Sequence, residues 1–230
     1  MRIFKFAFLI GLVFTGCTTV YIPSTITTPL PIEKNDYTLS VKTGITTADV
    51  SASYAFTDKY AGFINFSQVS RDNDEMINSS MLESAIGLYH PFKVKNNQFV
   101  FENYMGYGLY HVDNYMIDED DHHKFDRVKG PYHKLFLQSD LGFRKKYFQA
   151  SLAGRLSYLN LQSVAYPKYH DHEPRQALFF EPAFTISFGF ENLKITSQTG
   201  MSFAISPEYV SNYDVLISSI GLQYSNKYFK

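Results

Sequence analysis

Large apolar residues alternate with small or polar ones along most of the chain after about residue 37. The clearest stretch is residues 178–190, and its apolar positions are Leu178, Phe180, Pro182, Phe184, Ile186, Phe188 and Phe190. The same alternation recurs in residues 148–158. Because successive side chains of a strand point to opposite faces, this pattern predicts strands with one oily face and one small or polar face.

About ten such segments follow one another, and no long segment keeps apolar residues at helical spacing. They lie near residues 37–45, 48–57, 60–69, 80–89, 98–111, 132–144, 147–161, 177–190, 193–205 and 213–225. Each comes near or exceeds the roughly 9 to 11 residues with which a tilted strand crosses a bilayer. Tight turns alternate with longer polar stretches, which lie at 68–79, 112–131, 162–176 and 206–212. The sequence therefore predicts an all-β fold, a closed antiparallel up-and-down β-barrel of about ten strands.

The less apolar face of these strands indicates which side of the barrel meets solvent. A soluble barrel would carry long charged side chains outside, whereas Ser, Gly, Ala, Thr and Gln dominate this face and its charges are isolated. We therefore expect the apolar face to contact lipid, where a sheet must close because no water reaches unpaired backbone groups. The isolated charges are expected to pair across the lumen as a network. Its members are Glu83, Glu102, Asp140, Arg155, Glu181 and Lys194.

Composition narrows the function classes. Aromatic residues make up 17% of the chain, with 21 Phe, 18 Tyr and no Trp, which suits a sheet that faces lipid. The formal net charge of −1 provides no basic field, so no nucleic-acid partner is expected. Cys17 is the one cysteine, which leaves no internal disulfide to form. No Gly-rich phosphate loop precedes a predicted helix, and no cofactor is expected.

The amino terminus has three successive parts. Arg2 and Lys5 supply positive charge, residues 6–14 form an apolar run too short to span a bilayer, and two small residues precede Cys17. This order predicts a cleaved signal peptide over residues 1–16.

The same residues resemble bacterial lipoprotein precursors, whose cleavage motif reads roughly Leu-(Ala/Ser/Thr)-(Gly/Ala)-Cys, with Phe14 here in the Leu position. The resemblance implies that Cys17 becomes the first residue and carries acyl chains such as palmitate. Thr18 stands where Asp often marks inner-membrane retention in such lipoproteins, which implies delivery to the outer membrane of a diderm bacterium. Residues 17–36, with three prolines, are predicted to form a lipidated tether to the barrel domain, residues 37–230.

Two segments, residues 99–111 and 213–224, resemble small outer-membrane β-barrel proteins. They share a Gly-and-aromatic pattern, as in Phe-Glu-Asn-Tyr-Met-Gly-Tyr-Gly over residues 101–108. The resemblance implies the outer-membrane assembly machinery as a partner, in addition to membrane lipid. The sequence ends on Lys230, whereas assembly signals of this class typically end on an aromatic residue such as Phe229.

Two loop clusters combine carboxylates with imidazoles, at residues 118–123 and 170–173. Such groups can bind divalent cations, but in residues 118–123 they follow one another without the turn residues and Gly of a metal loop. Solvated acidic loops are the favoured interpretation, and no metal site is assigned.

Three functions remain open. The parts of a barrel-type lipid acyl hydrolase exist near the strand ends, but no family motif surrounds them, so an enzyme is not expected. These parts are His111, His133, His170, Asp113, Asp171 and Glu173. A barrel of ten strands has little room inside, but the small Ser, Gly and Ala side chains of its luminal face leave some space, so a narrow pore for ions or small solutes is a second alternative. The expected function is a structural or interaction role in the cell envelope, with an envelope protein as partner.

Overall fold

The structure, a computed structural model, describes residues 21–44, 46–72, 75–117, 124–161, 176–206 and 213–226. No helix in these ranges is long and apolar enough to cross a membrane. Their strands are β1 (Tyr37–Gly44), β2 (Thr47–Ala55), β3 (Tyr60–Asp72), β4 (Glu75–Val94), β5 (Asn97–Ile117), β6 (Lys124–Arg144), β7 (Phe148–Asn160), β8 (Gln176–Gly189), β9 (Leu193–Met201), β10 (Phe203–Ala204) and β11 (Leu216–Ser225).

The strands form one ring. From β1 to β9 each strand pairs antiparallel with the next, and β11 pairs with both β9 and β1. The two-residue β10 continues the pairing of β9 on β8 in the same register, so the ring has ten strands. The predicted fold, an all-β closed antiparallel barrel of about ten strands, is confirmed.

Four short turns lie at one end of the barrel, near residues 56–59, 95–96, 145–147 and 190–192. We call this end the turn rim and the opposite end the loop rim. Two of the long loops predicted for the loop rim are much shorter than predicted. Strands β3 and β4 together cover most of residues 68–79, and strands β5 and β6 cover most of residues 112–131. In these four strands the backbone hydrogen bonds continue past the last apolar outward residues. The alternation of apolar and polar residues therefore ends before the strands end. The other two predicted loops lie largely outside the described residues.

The two faces of the sheet differ as the alternation predicts. Leu137 and Met105 are 57% and 65% exposed, whereas the neighbouring inward residue Arg155 is completely buried. Phe184 and Phe188 also point outward. The charged and polar side chains therefore fill the inside of the barrel, and its outside is covered by apolar groups.

Most exposed aromatic residues form two bands around the outside, with mostly aliphatic residues between them; Phe66, Phe101 and Phe184 are also exposed and belong to neither band. The band at the turn rim comprises Tyr54, Phe56, Tyr60, Tyr147, Phe188, Phe190 and Tyr224, and the band toward the loop rim comprises Tyr107, Tyr158, Phe180 and Phe203. Along β7 and β8 the bands are about eight to eleven residues apart, or roughly 20 to 28 Å for a tilted strand. Transmembrane barrels have an apolar band about 25 Å tall between aromatic girdles, so the outside has the dimensions of such a protein.

The segment before β1 lies inside the ring. Residues 21–32 are almost all buried, and at 33–36 the chain turns at the turn rim and continues into β1. There the backbone N–H of Asn35 donates to the carbonyl of Ala55, and that of Lys34 donates to the Asp58 carboxylate. The stretch predicted as a tether, residues 17–36, therefore has its described part inside the barrel, where it fills the lumen as well as leading to β1.

Candidate functional site: the closed lumen

We call residues 21–32 the plug segment. Its loop-rim end is fixed by Tyr21, which is fully buried. The backbone carbonyl of Tyr21 accepts a hydrogen bond from Asp214 N–H, and its ring packs on Phe179 with centroids 4.8 Å apart. The Tyr21 hydroxyl donates to Glu181 Oε1 at 2.5 Å. Backbone, ring and hydroxyl are thus all held by the barrel wall at this end.

In the middle of the lumen, luminal amides act as backbone partners for the plug segment. Gln198 accepts from Ile26 N–H and donates to the Ile26 carbonyl, both at 2.7 Å. Gln138 donates to the Thr27 carbonyl at 2.8 Å. These contacts satisfy polar groups that would otherwise be buried without partners, a condition that costs roughly 1–3 kcal/mol for each group.

Toward the turn rim the plug segment is clamped at Leu30. Its N–H donates to Glu102 Oε2 at 3.0 Å, and its carbonyl accepts from Arg144 Nη1 at 2.8 Å. Leu30 has φ of 53°, a left-handed conformation that is uncommon for a bulky residue and requires support from its surroundings. The Leu30 side chain lies directly on Gly142, where a Cβ atom would overlap it. Gly142 therefore provides the space that Leu30 occupies.

A cluster of four charges surrounds the loop-rim half of the plug segment. Lys134 Nζ lies 3.0 Å from Glu83 Oε1 and 3.6 Å from Glu181 Oε2. Arg155 Nη1 lies 3.3 Å from Glu83 Oε2, and its guanidinium stacks over the Phe136 ring at 4.5 Å. We call Glu83, Lys134, Arg155 and Glu181 the charge cluster. Two acids and two bases balance it, as burial of charge requires.

The plug segment adds hydroxyl groups to the charge cluster. Ser24 donates to Glu83 Oε2 at 2.9 Å, and Lys134 Nζ donates to the Tyr21 hydroxyl at 3.0 Å. Removal of the segment would take partners away from all four charged groups, since Tyr21 also bonds Glu181 and Ser24 also accepts from Arg155 Nη1 at 3.3 Å. The cluster and the plug segment therefore stabilise each other.

The six charges expected to form a luminal network are all buried, but the structure brings only Glu83, Arg155 and Glu181 into one cluster. Glu102 faces Asp140 across β5 and β6, where it binds Leu30 N–H and the Tyr104 hydroxyl. Asp140 accepts from Gln138 at 2.8 Å. Lys194 donates to the carbonyl of Glu191 at the turn rim, 2.6 Å away.

Sequence reasoning missed several charged residues of the lumen, including Lys42, Asp49, Lys134 and Arg144. Lys134 completes the charge cluster, and Arg144 holds Leu30. Lys42 is buried opposite Asp49 in the β1–β2 register. The alternation of side chains along β6 could have revealed Lys134, because it is an even number of residues from Asp140 and so shares its face of the strand. Arg144 could not be recognised in this way, because it belongs to a cluster of basic residues typical of a solvated turn.

The residues considered for hydrolysis are not assembled in the described part of the chain. His111 is exposed on the outer face, and His133 is half-buried there with Nδ1 2.5 Å from the Tyr107 hydroxyl. Asp113 forms an ion pair with Lys129 at 3.4 Å. His170, Asp171, Glu173 and the cluster at residues 118–123 lie outside the described residues, as does Cys17.

A small polar cavity, with room for about one water molecule, lies between the plug segment and the wall formed by β1, β2, β8, β9 and β11. It is lined by Thr27, Thr28, Pro29, Thr38, Ser40, Lys42, Ser51, Ser53, Thr185, Thr196 and Gln223. Hydroxyl, amide and ammonium groups at this density can bind water. This part of the lumen is the least tightly filled of the regions described above.

Compared with known proteins, the chain matches no family model and no curated protein.

Proposed function

We propose that this protein is a lipid-anchored β-barrel of the bacterial outer membrane that acts as a closed scaffold in the cell envelope. The apolar outside, with its two aromatic bands, supports residence in a bilayer. In the part of the chain that the structure describes, the strands close into a ring without a free sheet edge, which a lipid environment demands. Assembly of such a barrel would involve the outer-membrane assembly machinery.

One observation favours a scaffold over a channel: the plug segment occupies the lumen along its length. It is held near the loop rim by Tyr21, in the middle by Gln198 and Gln138, and near the turn rim by Glu102 and Arg144. A solute would have to displace these contacts together. The barrel is therefore proposed to be impermeable in its resting state.

The acyl chains proposed for Cys17 add a second attachment to the membrane. One acyl chain binds a bilayer only marginally, and two or more hold it stably. Because the barrel is already an anchor, the proposed role of the lipid is to fix the position of the amino terminus rather than to retain the protein.

Strands β4, β5 and β6 have 20 or 21 residues each, about twice the length that a bilayer requires. Their loop-rim parts extend beyond the aromatic band and carry outward residues such as His111, Lys129 and Pro131. We propose this extended wall as the surface on which an envelope protein docks.

The polar cavity beside the plug segment supports a narrow pore as a second candidate function. Lys42 and the hydroxyl groups around it could conduct water or small ions if the plug segment shifted away from β1 and β2. The permeability of the purified protein distinguishes the two functions.

The test is ion flux across liposomes that contain the purified protein, after heat-dependent migration in a detergent gel has shown that it is folded. We expect no flux for the native sequence. The variant Gly142→Val should raise the flux several-fold, because its side chain overlaps Leu30 and displaces the turn-rim half of the plug segment. The double variant Gly142→Val/Leu30→Ala removes the overlapping atoms and should close the lumen again.

Sustained flux with the native sequence would contradict the closed scaffold and favour the pore. If the folded Gly142→Val variant shows as little ion flux as the native protein, the plug segment is not what closes the lumen. An exposed variant in the β4–β5 turn, Lys95→Ala, serves as the control and should behave like the native protein.

A further inference from the structure

The plug segment has a fixed direction through the barrel. Tyr21 lies at the loop rim, where its backbone pairs with residues 213–214 ahead of β11. Ile26 lies in the middle against Ala153 and Ala183. Leu30 lies toward the turn rim in contact with Gly142. The chain therefore enters the lumen at the loop rim, crosses to the turn rim, and returns to the loop rim as β1.

This direction limits the position of Cys17. Cys17 stands four positions before Tyr21, and a fully extended chain spans at most about 3.6 Å per residue, or roughly 14 Å in all. That reach is well short of the roughly 25 Å height of an apolar barrel belt. With Tyr21 held at the loop rim, Cys17 cannot reach the membrane surface at the turn rim.

Among the described residues, the wall is lowest next to the amino end of the plug segment. Ile22 packs on Val69 and Ile77 of β3 and β4, while the Tyr21 backbone contacts residues ahead of β11. Between these contacts stand β1 and β2, which have 8 and 9 residues and a connection of two residues. Val215 and Leu216 beside them are 41% and 65% exposed. This section of the rim offers the shortest path from the lumen to lipid.

We propose, on the basis of the function proposed above, that the acyl chains on Cys17 leave the barrel over the β11–β1–β2 section of the loop rim. They enter the membrane leaflet at that rim, the outer leaflet when the short turns face the periplasm. The ligand of this surface is the hydrocarbon layer itself, next to Val215 and Leu216.

The experiment places one epitope at three positions of the full-length chain and measures antibody binding to intact and permeabilised cells. The test insertion follows Thr19, next to the plug segment. One control follows Lys95 in a short turn, and the other follows Ser206 at the loop rim. We expect the Thr19 and Ser206 epitopes to be accessible on intact cells and the Lys95 epitope to require permeabilisation. A photoactivatable fatty acid incorporated at Cys17 should cross-link to glycolipid of the outer leaflet.

A Thr19 epitope that shares the accessibility of Lys95 and differs from Ser206 would overturn the inference while leaving the barrel intact. Cross-linking confined to phospholipid of the periplasmic leaflet would do the same. If the epitopes after Lys95 and Ser206 are equally accessible, or if the gel band of the protein does not shift on heating, the protein is not a membrane-spanning barrel and the inference fails with that assignment. Cys17→Ser should abolish the cross-link, and a cross-link that persists in this variant would show that the labelled fatty acid is not attached at Cys17.

Discussion

Replacing Arg155 with Met is expected to lower the free energy of unfolding by about 3 kcal/mol. The guanidinium is fully buried, 3.3 Å from Glu83, and also donates to Gln138 at 2.8 Å. Met fills similar space without charge, so the charge cluster is left with two acids and one base. We expect a loss of unfolding free energy at the lower end of the range measured for broken buried ion pairs, because Lys134 still contacts Glu83. Urea unfolding in lipid vesicles measures it.

Two further variants separate charge balance from packing. Glu83→Gln/Arg155→Met restores equal numbers of acids and bases and is expected to recover part of the loss. Arg71→Met removes one partner of a half-exposed ion pair with Asp214, 3.1 Å long, and should cost less than about 1 kcal/mol. An Arg155→Met protein within about 0.5 kcal/mol of the native one would show that the charge cluster does not stabilise the lumen.

Replacing Leu137 with Arg is expected to destabilise the protein by about 2–4 kcal/mol in a bilayer. Leu137 points outward between the two aromatic bands and is 57% exposed. A charged side chain at this depth loses its hydration to hydrocarbon. The same substitution on a water-facing surface would change stability by no more than about 0.5 kcal/mol.

The matched control is Tyr147→Arg, because Tyr147 is also 57% exposed but lies at the turn rim. Near a membrane interface the cost of Arg falls to about 0–1 kcal/mol. Depth therefore distinguishes two sites of equal exposure, and unfolding of both variants in the same vesicles measures the difference. Equal effects of Leu137→Arg and Tyr147→Arg would contradict a lipid-covered belt.

The strands could be predicted from the sequence because the faces of the sheet differ so strongly. Phe184 and Phe188 alternate with Glu181 and Ser187 along β8, and their positions in the structure follow the alternation. Strand ends were less predictable, as in β6, which begins at Lys124 rather than near residue 132. Beyond the apolar belt both faces of the sheet are polar, so the sequence pattern there no longer shows that the backbone is paired.

The plug segment could not be predicted from the pattern. Its prolines and Thr residues are typical of a solvated linker, and an extended segment without a strand partner has no hydrophobic period. Its position depends on specific contacts, such as Gln198 with Ile26 and Gly142 with Leu30, that join residues more than a hundred positions apart. Even so, the buried charges Glu83 and Glu181 required partners, and the plug segment supplies several of them.

The central claim is that hydrocarbon covers the outside of the barrel and that its inside is shielded from lipid. The chain contains no Trp, so a single Trp can report on either face. Leu137 and Phe136 are adjacent on β6, at the same depth and on opposite faces, with exposures of 57% and 3%. In vesicles of phosphatidylcholine with brominated acyl chains, we predict strong fluorescence quenching of Leu137→Trp and little quenching of Phe136→Trp, both variants being folded by the gel-shift criterion. Equal quenching of the two, or stronger quenching of Phe136→Trp, would contradict the account.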